Sequence, residues 1–278
     1  MKILLLSTSE RTGGAAIAAN RLMRALNKSG QEAKMLVRDK QTDDPYVVSI
    51  NTNWWKKTIN FIRFAYEQWV IFVHNRFDRK NLFAVSIANT GTDISNHPLV
   101  KEADVIHLHW INQGFLSLEN IQQLQMLNKP VVWTMHDMWV CSGICHYVAN
   151  SAAYPHIDAV RCNRFVLQCD ICPFTPSGLA FQTWRKKKTV FMPQQIHFVG
   201  CSNWISNMAK SSALLRDFGI TSIPNPVDID VFKPSDSQAV RNKFNLPLNR
   251  KLILFAAANL SDKRKGIDYF IESCRMLA

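Results

Sequence analysis

Short apolar, strand-like runs alternate with helical stretches along the whole chain, and few architectures accept that alternation. The runs fall at 2–8, 33–38, 104–109, 131–135, 196–201 and 252–258. Strands separated by helices pair in parallel through crossover connections, so the pattern predicts an α/β protein with a doubly wound parallel sheet. A length of 278 residues, 47% of them hydrophobic, is enough for one large or two small domains with a packed core. The opening, Met1-Lys2-Ile3-Leu4-Leu5-Leu6-Ser7-Thr8, has too short an apolar run for a signal peptide and lacks a small-residue cleavage site. It reads as a buried first strand, and a cytoplasmic protein is expected.

The formal charge of +12 implies an acidic partner: nucleic acid, an anionic lipid surface or a phosphorylated small substrate. Nucleic acid is not expected, because the chain has no RNA-binding aromatic signature, no helix-turn-helix spacing and no long Lys/Arg block.

In open α/β sheets ligands bind at the carboxyl ends of the strands, so the residues there are the candidates for chemistry. After the first strand comes Thr12-Gly13-Gly14-Ala15-Ala16, whose small residues open a helix through about Ser29 and leave room for a ligand. The dinucleotide fingerprint Gly-x-Gly-x-x-Gly is not present there, which disfavours NAD; two glycines making a tight turn is the plainer reading. On the strand Asp104-Val105-Ile106-His107-Leu108-His109-Trp110, side-chain alternation puts His107 and His109 on one face. His109, at the carboxyl end, is expected to line the cleft, and His107 to lie in the core or a second layer. The strand at 131–135 ends in His136-Asp137, where an imidazole titrating near neutral pH can act on a substrate or simply cap the strand.

Residues 54–77 predict an amphipathic helix with a wide apolar face, because Ile59, Ile62, Tyr66, Trp69 and Val73 recur at helical spacing among Lys56, Lys57, Arg63 and Arg76. Arg63 and Glu67 interrupt it, so it is not expected to span a bilayer. It is expected either to pack half-buried on the sheet or to lie at an anionic membrane surface. A second basic and aromatic run at 181–188 reads as another anionic contact or as a solvated loop and helix start.

Cys141, Cys145, Cys162, Cys169 and Cys172 cluster, with a Cys-x-x-Cys knuckle at Cys169 and Cys172. In a reducing compartment this spacing reads as zinc before disulfide. Cys145, Cys162, Cys169 and Cys172 form the preferred thiolate set, with Cys141 or His146 as substitutes and unpaired core cysteines as the other reading. Four thiolates leave no open position, so such a zinc would be structural.

Near the end, a predicted strand runs into Asn259-Leu260-Ser261-Asp262-Lys263-Arg264-Lys265-Gly266 and then an apolar-periodic helix. Backbone amides and cations at such a corner suit a phosphate. The corner resembles the first strand, loop and helix of the second domain in retaining glycosyltransferases of family 4, which have two facing Rossmann-like domains. Phe198-Val199-Gly200-Cys201-Ser202-Asn203-Trp204 resembles the last strand of that family's first domain. Ile223-Pro224-Asn225-Pro226-Val227-Asp228 resembles its interdomain linker, with Pro226 in place of a Gly.

The resemblance implies a Rossmann-like amino-terminal acceptor-side domain at 1–223, with a zinc-clip-like insertion at about 141–173. It further implies a linker at 224–248 and, at 249–278, the start of a truncated nucleotide-sugar-binding domain. It implies transfer of a sugar from a nucleotide-diphosphate donor to a glycan or lipid-linked acceptor with retained configuration, in surface-polysaccharide synthesis. His136 would be the catalytic residue near the donor sugar, and Gly13, Gly14 and His109 would line the cleft. Lys265 and Arg264 would contact the donor diphosphate, with Asn259 standing where the family usually has an Arg. No catalytic cofactor is implied. The peptide would be peripheral at the inner membrane face, and weakly active or inactive unless a separately encoded carboxyl-terminal half completes it. A non-catalytic module that binds an acceptor or a membrane surface is the alternative.

Overall fold

The computed structural model describes residues 1–79, 82–147, 178–260, 262 and 265–277. Its strands are β1 (Lys2–Ser9), β2 (Glu32–Asp39), β3 (Val47–Ser49), β4 (Val105–Leu108), β5 (Val131–Met135), β6 (Ile196–Gly200) and β7 (Gly219–Ser222). Its helices are α1 (Gly14–Lys28), α2 (Trp54–His74), α3 (Pro98–Glu102), α4 (Leu118–Gln125), α5 (Leu179–Val190), α6 (Asn203–Ser211), α7 (Ser237–Lys243) and α8 (Ile267–Leu277). The described chain divides into two compact units, Met1–Asp228 and Ile229–Ala278.

The first unit holds a seven-stranded, all-parallel, Rossmann-like sheet in the order β3-β2-β1-β4-β5-β6-β7. Alternation along β1 sends its side chains into two separate cores. Leu4 and Leu6 join Ile106, Leu108, Trp133 and Phe198, over which α4, α5 and α6 pack. Ile3 and Leu5 join Met35 and Val37 under Ala19 and Met23 of α1. Burial on both faces explains why Ile3, Leu4, Leu5 and Leu6 of β1 form an apolar run rather than an alternating one. Strand order reverses between β1 and β4, and this is the topological switch point where sheets of this kind open a crevice.

The edge strands β3 and β7 escape the sequence patterns because they are short and only partly apolar. The strand expected at 252–258 does not form: a strand needs a neighbour for its amides, and no described residue pairs with this run. Leu254 there is 89% exposed, and no described residue of the second unit is buried.

Helix α2 departs most from expectation. Its N-cap Asn53 accepts a hydrogen bond from the Lys56 amide. The face it turns inward is polar: Asn60 and Glu67 are buried, beside Ile71. Oε1 of Glu67 accepts the amides of Ile87 and Ala88, both at 2.9 Å. Asn60 binds Asn51 at 2.6 Å, Thr92 at 2.7 Å and Arg63 at 3.0 Å. Of the apolar stripe expected either to pack half-buried on the sheet or to lie at a membrane surface, Ile59, Ile62, Tyr66 and Trp69 are exposed and Val73 is half-buried. No described helix is long and apolar enough to cross a membrane.

Gly114, in the loop after β4, has φ +76°, and a Cβ there would lie 2.7 Å from the Phe64 backbone nitrogen of α2. Loop and helix touch backbone to backbone. Gly114→Ala is therefore expected to lower unfolding stability by roughly 2 kcal/mol or more, since strain and a clash add. A urea-unfolding midpoint measures this, and an unchanged midpoint would mean that α2 is not seated on this loop.

Candidate functional site

The switch point is built by tying the carboxyl ends of β1 and β4 together. The Thr8 amide donates to the Trp110 carbonyl at 2.7 Å, and the Thr8 hydroxyl to the Asn112 carbonyl at 2.8 Å. Next to them Glu10 is fully buried and accepts the amides of Gln41 and Thr42 and the Thr42 hydroxyl. Burial opposes its charge, but these bonds outweigh it and hold its carboxyl below the usual range. Glu10 thus clamps the loop after β2 against the turn that carries the glycines.

Gly13 is the N-cap of α1 at φ 88°, and Gly14 is its first residue. A Cβ at either would meet nothing within 4 Å, and both are exposed, so the turn is open as expected. Its tightness alone does not require two glycines, because only Gly13 has a positive φ.

Across the switch point stand three histidine rings. His107 stacks on His109 with ring centroids 4.4 Å apart, and His109 on His136 at 5.2 Å. Nδ1 of His109 is 2.9 Å from Nε2 of His136, and Nε2 of His107 is 2.8 Å from the Thr134 hydroxyl. His107 therefore occupies the second layer expected of it. Burial is the main force on all three rings. It lowers the pKa of His107 and of His136 to about 4, and that of His109 well below 6.5. All three are neutral at physiological pH.

Neutrality couples the tautomers of His109 and His136, because one ring must donate in their shared bond and the other accept. When His109 Nδ1–H donates, His136 carries its proton on Nδ1, the atom left to meet a ligand. Nε2 of His109 and Oδ1 of Asn112 have no hydrogen-bond partner among the described residues. Both residues line a small cavity with Trp110, Thr134, His136 and Asp137, its volume about 10 Å³, the scale of one water. So His109 borders this small cavity from a buried position.

Asp137 turns away from His136. Its Oδ2 accepts from Trp110 Nε1 at 2.8 Å and sits 2.7 Å from His146 Nδ1, while its Oδ1 accepts the Trp139 amide at 2.9 Å. Burial opposes its charge, but His146 and these donors hold its pKa below 3.8. Nε2 of His146 lies 2.8 Å from the Ser86 hydroxyl. Ser86, His146 and Asp137 thus have the connectivity of a nucleophilic triad, yet Ser86 is buried and has no open side for a substrate. The chain acts as a strut, joining the end of β5 to the bridge between Val85 and Cys145.

A second support was not legible in the basic run at 181–188. Lys187, expected at an anionic surface or in solvent, is fully buried on α5. Its ammonium donates to the carbonyls of Trp139 (2.5 Å), Gly143 (2.9 Å) and Ser142 (3.2 Å) and lies 3.6 Å from the centroid of the Trp139 ring. It holds the turn that follows His136 and Asp137.

Of the zinc candidates, Cys145 is buried, whereas Cys162, Cys169 and Cys172 lie outside the described residues. Among the described residues no three acidic, His or Cys side chains gather as metal ligands. Burial raises the Cys141 thiol to about 12, so it is inert at neutral pH. Asn259 and Lys265 belong to the second unit, in a turn where the Lys265 amide donates to the Asp262 carbonyl at 2.9 Å; Arg264 lies outside the described residues.

Two outcomes follow. The unfolded chain binds protons on His107 and His136 below pH 6.5, whereas the folded chain does so only near pH 4. Stability should therefore fall steadily as pH drops from about 6.5 to about 4, with uptake of about two protons on unfolding from these two rings and a further one from His109, and His107→Gln should flatten the slope. Urea midpoints across that range test it, and a flat profile would contradict neutral buried rings. Lys187→Met takes a donor from three carbonyls and is expected to cost roughly 3 kcal/mol by the same measurement. No known family model matches the chain, and no curated protein matches it.

Proposed function

We propose that the chain belongs to a sugar-transfer system that uses a nucleotide-diphosphate donor and a hydroxyl acceptor and retains anomeric configuration, in surface-polysaccharide synthesis. The observation that carries this reading is the placement of the open Gly13-Gly14 turn after β1 and of the His109–His136 pair after β4 and β5, all at the carboxyl edge about the switch point of an all-parallel sheet. A sheet of that order binds ligands there, and Gly13 and Gly14 leave space for a sugar or phosphate to approach the backbone.

His136 is then the residue nearest the chemistry. Being neutral, it offers a directional hydrogen bond from Nδ1 rather than a positive charge. His109 sets its tautomer, and Asp137 with its partners fixes the loop behind it. The charge that develops on the departing diphosphate would fall to the basic corner, with Lys265 and Arg264 as donors and Asn259 as a neutral contact. Retention would follow if the leaving phosphate itself takes the proton of the incoming hydroxyl on the same face. Catalysis is then mostly orientation and stabilisation of the leaving group.

A second reading is favoured by one observation. The apolar run at 252–258 pairs with no described strand, and the second unit buries no described residue, so a binding module without turnover fits it better than a complete nucleotide site.

The test is a panel of nucleotide-diphosphate sugars incubated with the protein and lipid-linked acceptor, alone and with co-purifying partners, with products assigned by NMR. Transfer with retention is expected, reduced about 100-fold by His136→Ala, as for loss of one preorganised donor. Inverted product would overturn the reading. Donor binding without product under any of these conditions would favour the binding module.

A further inference from the structure

Helix α2 is amphipathic in the reverse of the usual sense. Glu67 and Asn60 are inside, with 0% and 3% of their surface exposed, whereas Trp55 and Trp69 are 68% and 60% exposed. Trp55, Ile59, Ile62, Tyr66 and Trp69 are spaced four, three, four and three residues apart, so they form one continuous stripe along the outer side. Trp54 and Phe61 flank it, both largely exposed.

The helix cannot relieve this exposure by rolling over. A half-turn would bury the stripe but would strip two backbone amides from Glu67 and break the Asn60, Thr92 and Arg63 network. Buried polar groups without partners are costly, so the inward contacts hold the stripe outward. A contiguous apolar patch of this kind on a protein surface marks a contact with another phase or partner.

Charge chooses the occupant. Across 53–79 the exposed ionic side chains are Lys56, Lys57, Arg76 and Arg79, against the single acid Asp78, and the sole acid within α2 is the buried Glu67. Trp and Tyr along the stripe with Lys and Arg at its ends are the composition that settles at the boundary between head groups and acyl chains of an anionic bilayer. A second copy would bring the same cations into opposition, against a net charge of +12 per chain. The helix is also too interrupted to insert across a bilayer. We propose that the outer face of α2 is a docking surface that lays the protein on anionic lipid, with Trp55, Tyr66 and Trp69 in the interface and Lys56, Lys57, Arg76 and Arg79 on the head groups.

The surface lies beside the candidate site, because Phe64 of α2 rests on Gly114 of the loop after β4 and Arg38 at the end of β2 reaches over the Phe64 ring. Its test is independent of any sugar chemistry. The intact protein would be sedimented with vesicles of phosphatidylcholine alone and with about a third phosphatidylglycerol, at low and high salt. Binding is expected to the anionic vesicles only, weakening with salt, with a blue shift of tryptophan emission and quenching by bromine-labelled acyl chains. Trp55→Ser with Trp69→Ser should weaken it about tenfold or more, whereas Trp204→Ser, an exposed tryptophan on α6, should leave it unchanged. Circular dichroism would establish that each variant remains folded. Absence of binding, binding indifferent to the double substitution, or a dimer in solution that the double substitution dissociates would each overturn the proposal.

Discussion

The carboxylate of Asp137 is the point on which the carboxyl edge of the sheet is organised. It receives Trp110 from the end of β4, the Trp139 amide from the turn after β5, and His146, which in turn engages Ser86. Trp110, the Trp139 amide and His146 meet on one ionised group, and Ser86 is joined to it through His146. Because burial opposes its charge, the donors that surround it must all be present together. Lys187 serves the same turn from the other side, donating to the carbonyls of Trp139, Ser142 and Gly143. These two groups hold the turn after His136 from both sides, which fixes the geometry of the hydrogen bond between His136 and His109.

Helix α2 follows the same principle with another consequence. A buried carboxylate and amide decide its rotation, and the apolar side chains occupy whatever face is left. A helix normally spends its apolar face on the core, and here polar contacts with residues 86–92 take that place. On the proposed lipid surface that exposed aromatic area would be covered.

Much of the scaffold was legible in the chain. Runs of aliphatic residues at 2–8, 33–38, 104–109, 131–135 and 196–201 mark strands because a strand covered on both faces must be apolar throughout. The placement of the Gly13-Gly14 turn, His109 and His136 at the carboxyl edge of the sheet was legible for a topological reason, since each follows a strand at its carboxyl end. Other parts were hidden. Lys187 looks like any lysine in a basic run, and Ser86 and His146 have no local pattern that joins them. The run at 252–258 has the composition of a strand, but strand structure belongs to a pair, and composition says nothing of the partner.

What the sequence determined by itself is whatever depends on neighbours along the chain: apolar runs, the helical period of α2, and the glycines that leave a turn open. The tertiary structure decided whatever depends on groups far apart meeting. It set the 2.9 Å contact between His109 and His136, the neutrality that burial forces on both, and the burial of Lys187. It also decided which side of α2 faces out. Periodicity defines two faces of a helix, but only the free energy of satisfying its buried polar groups selects which one is turned inward.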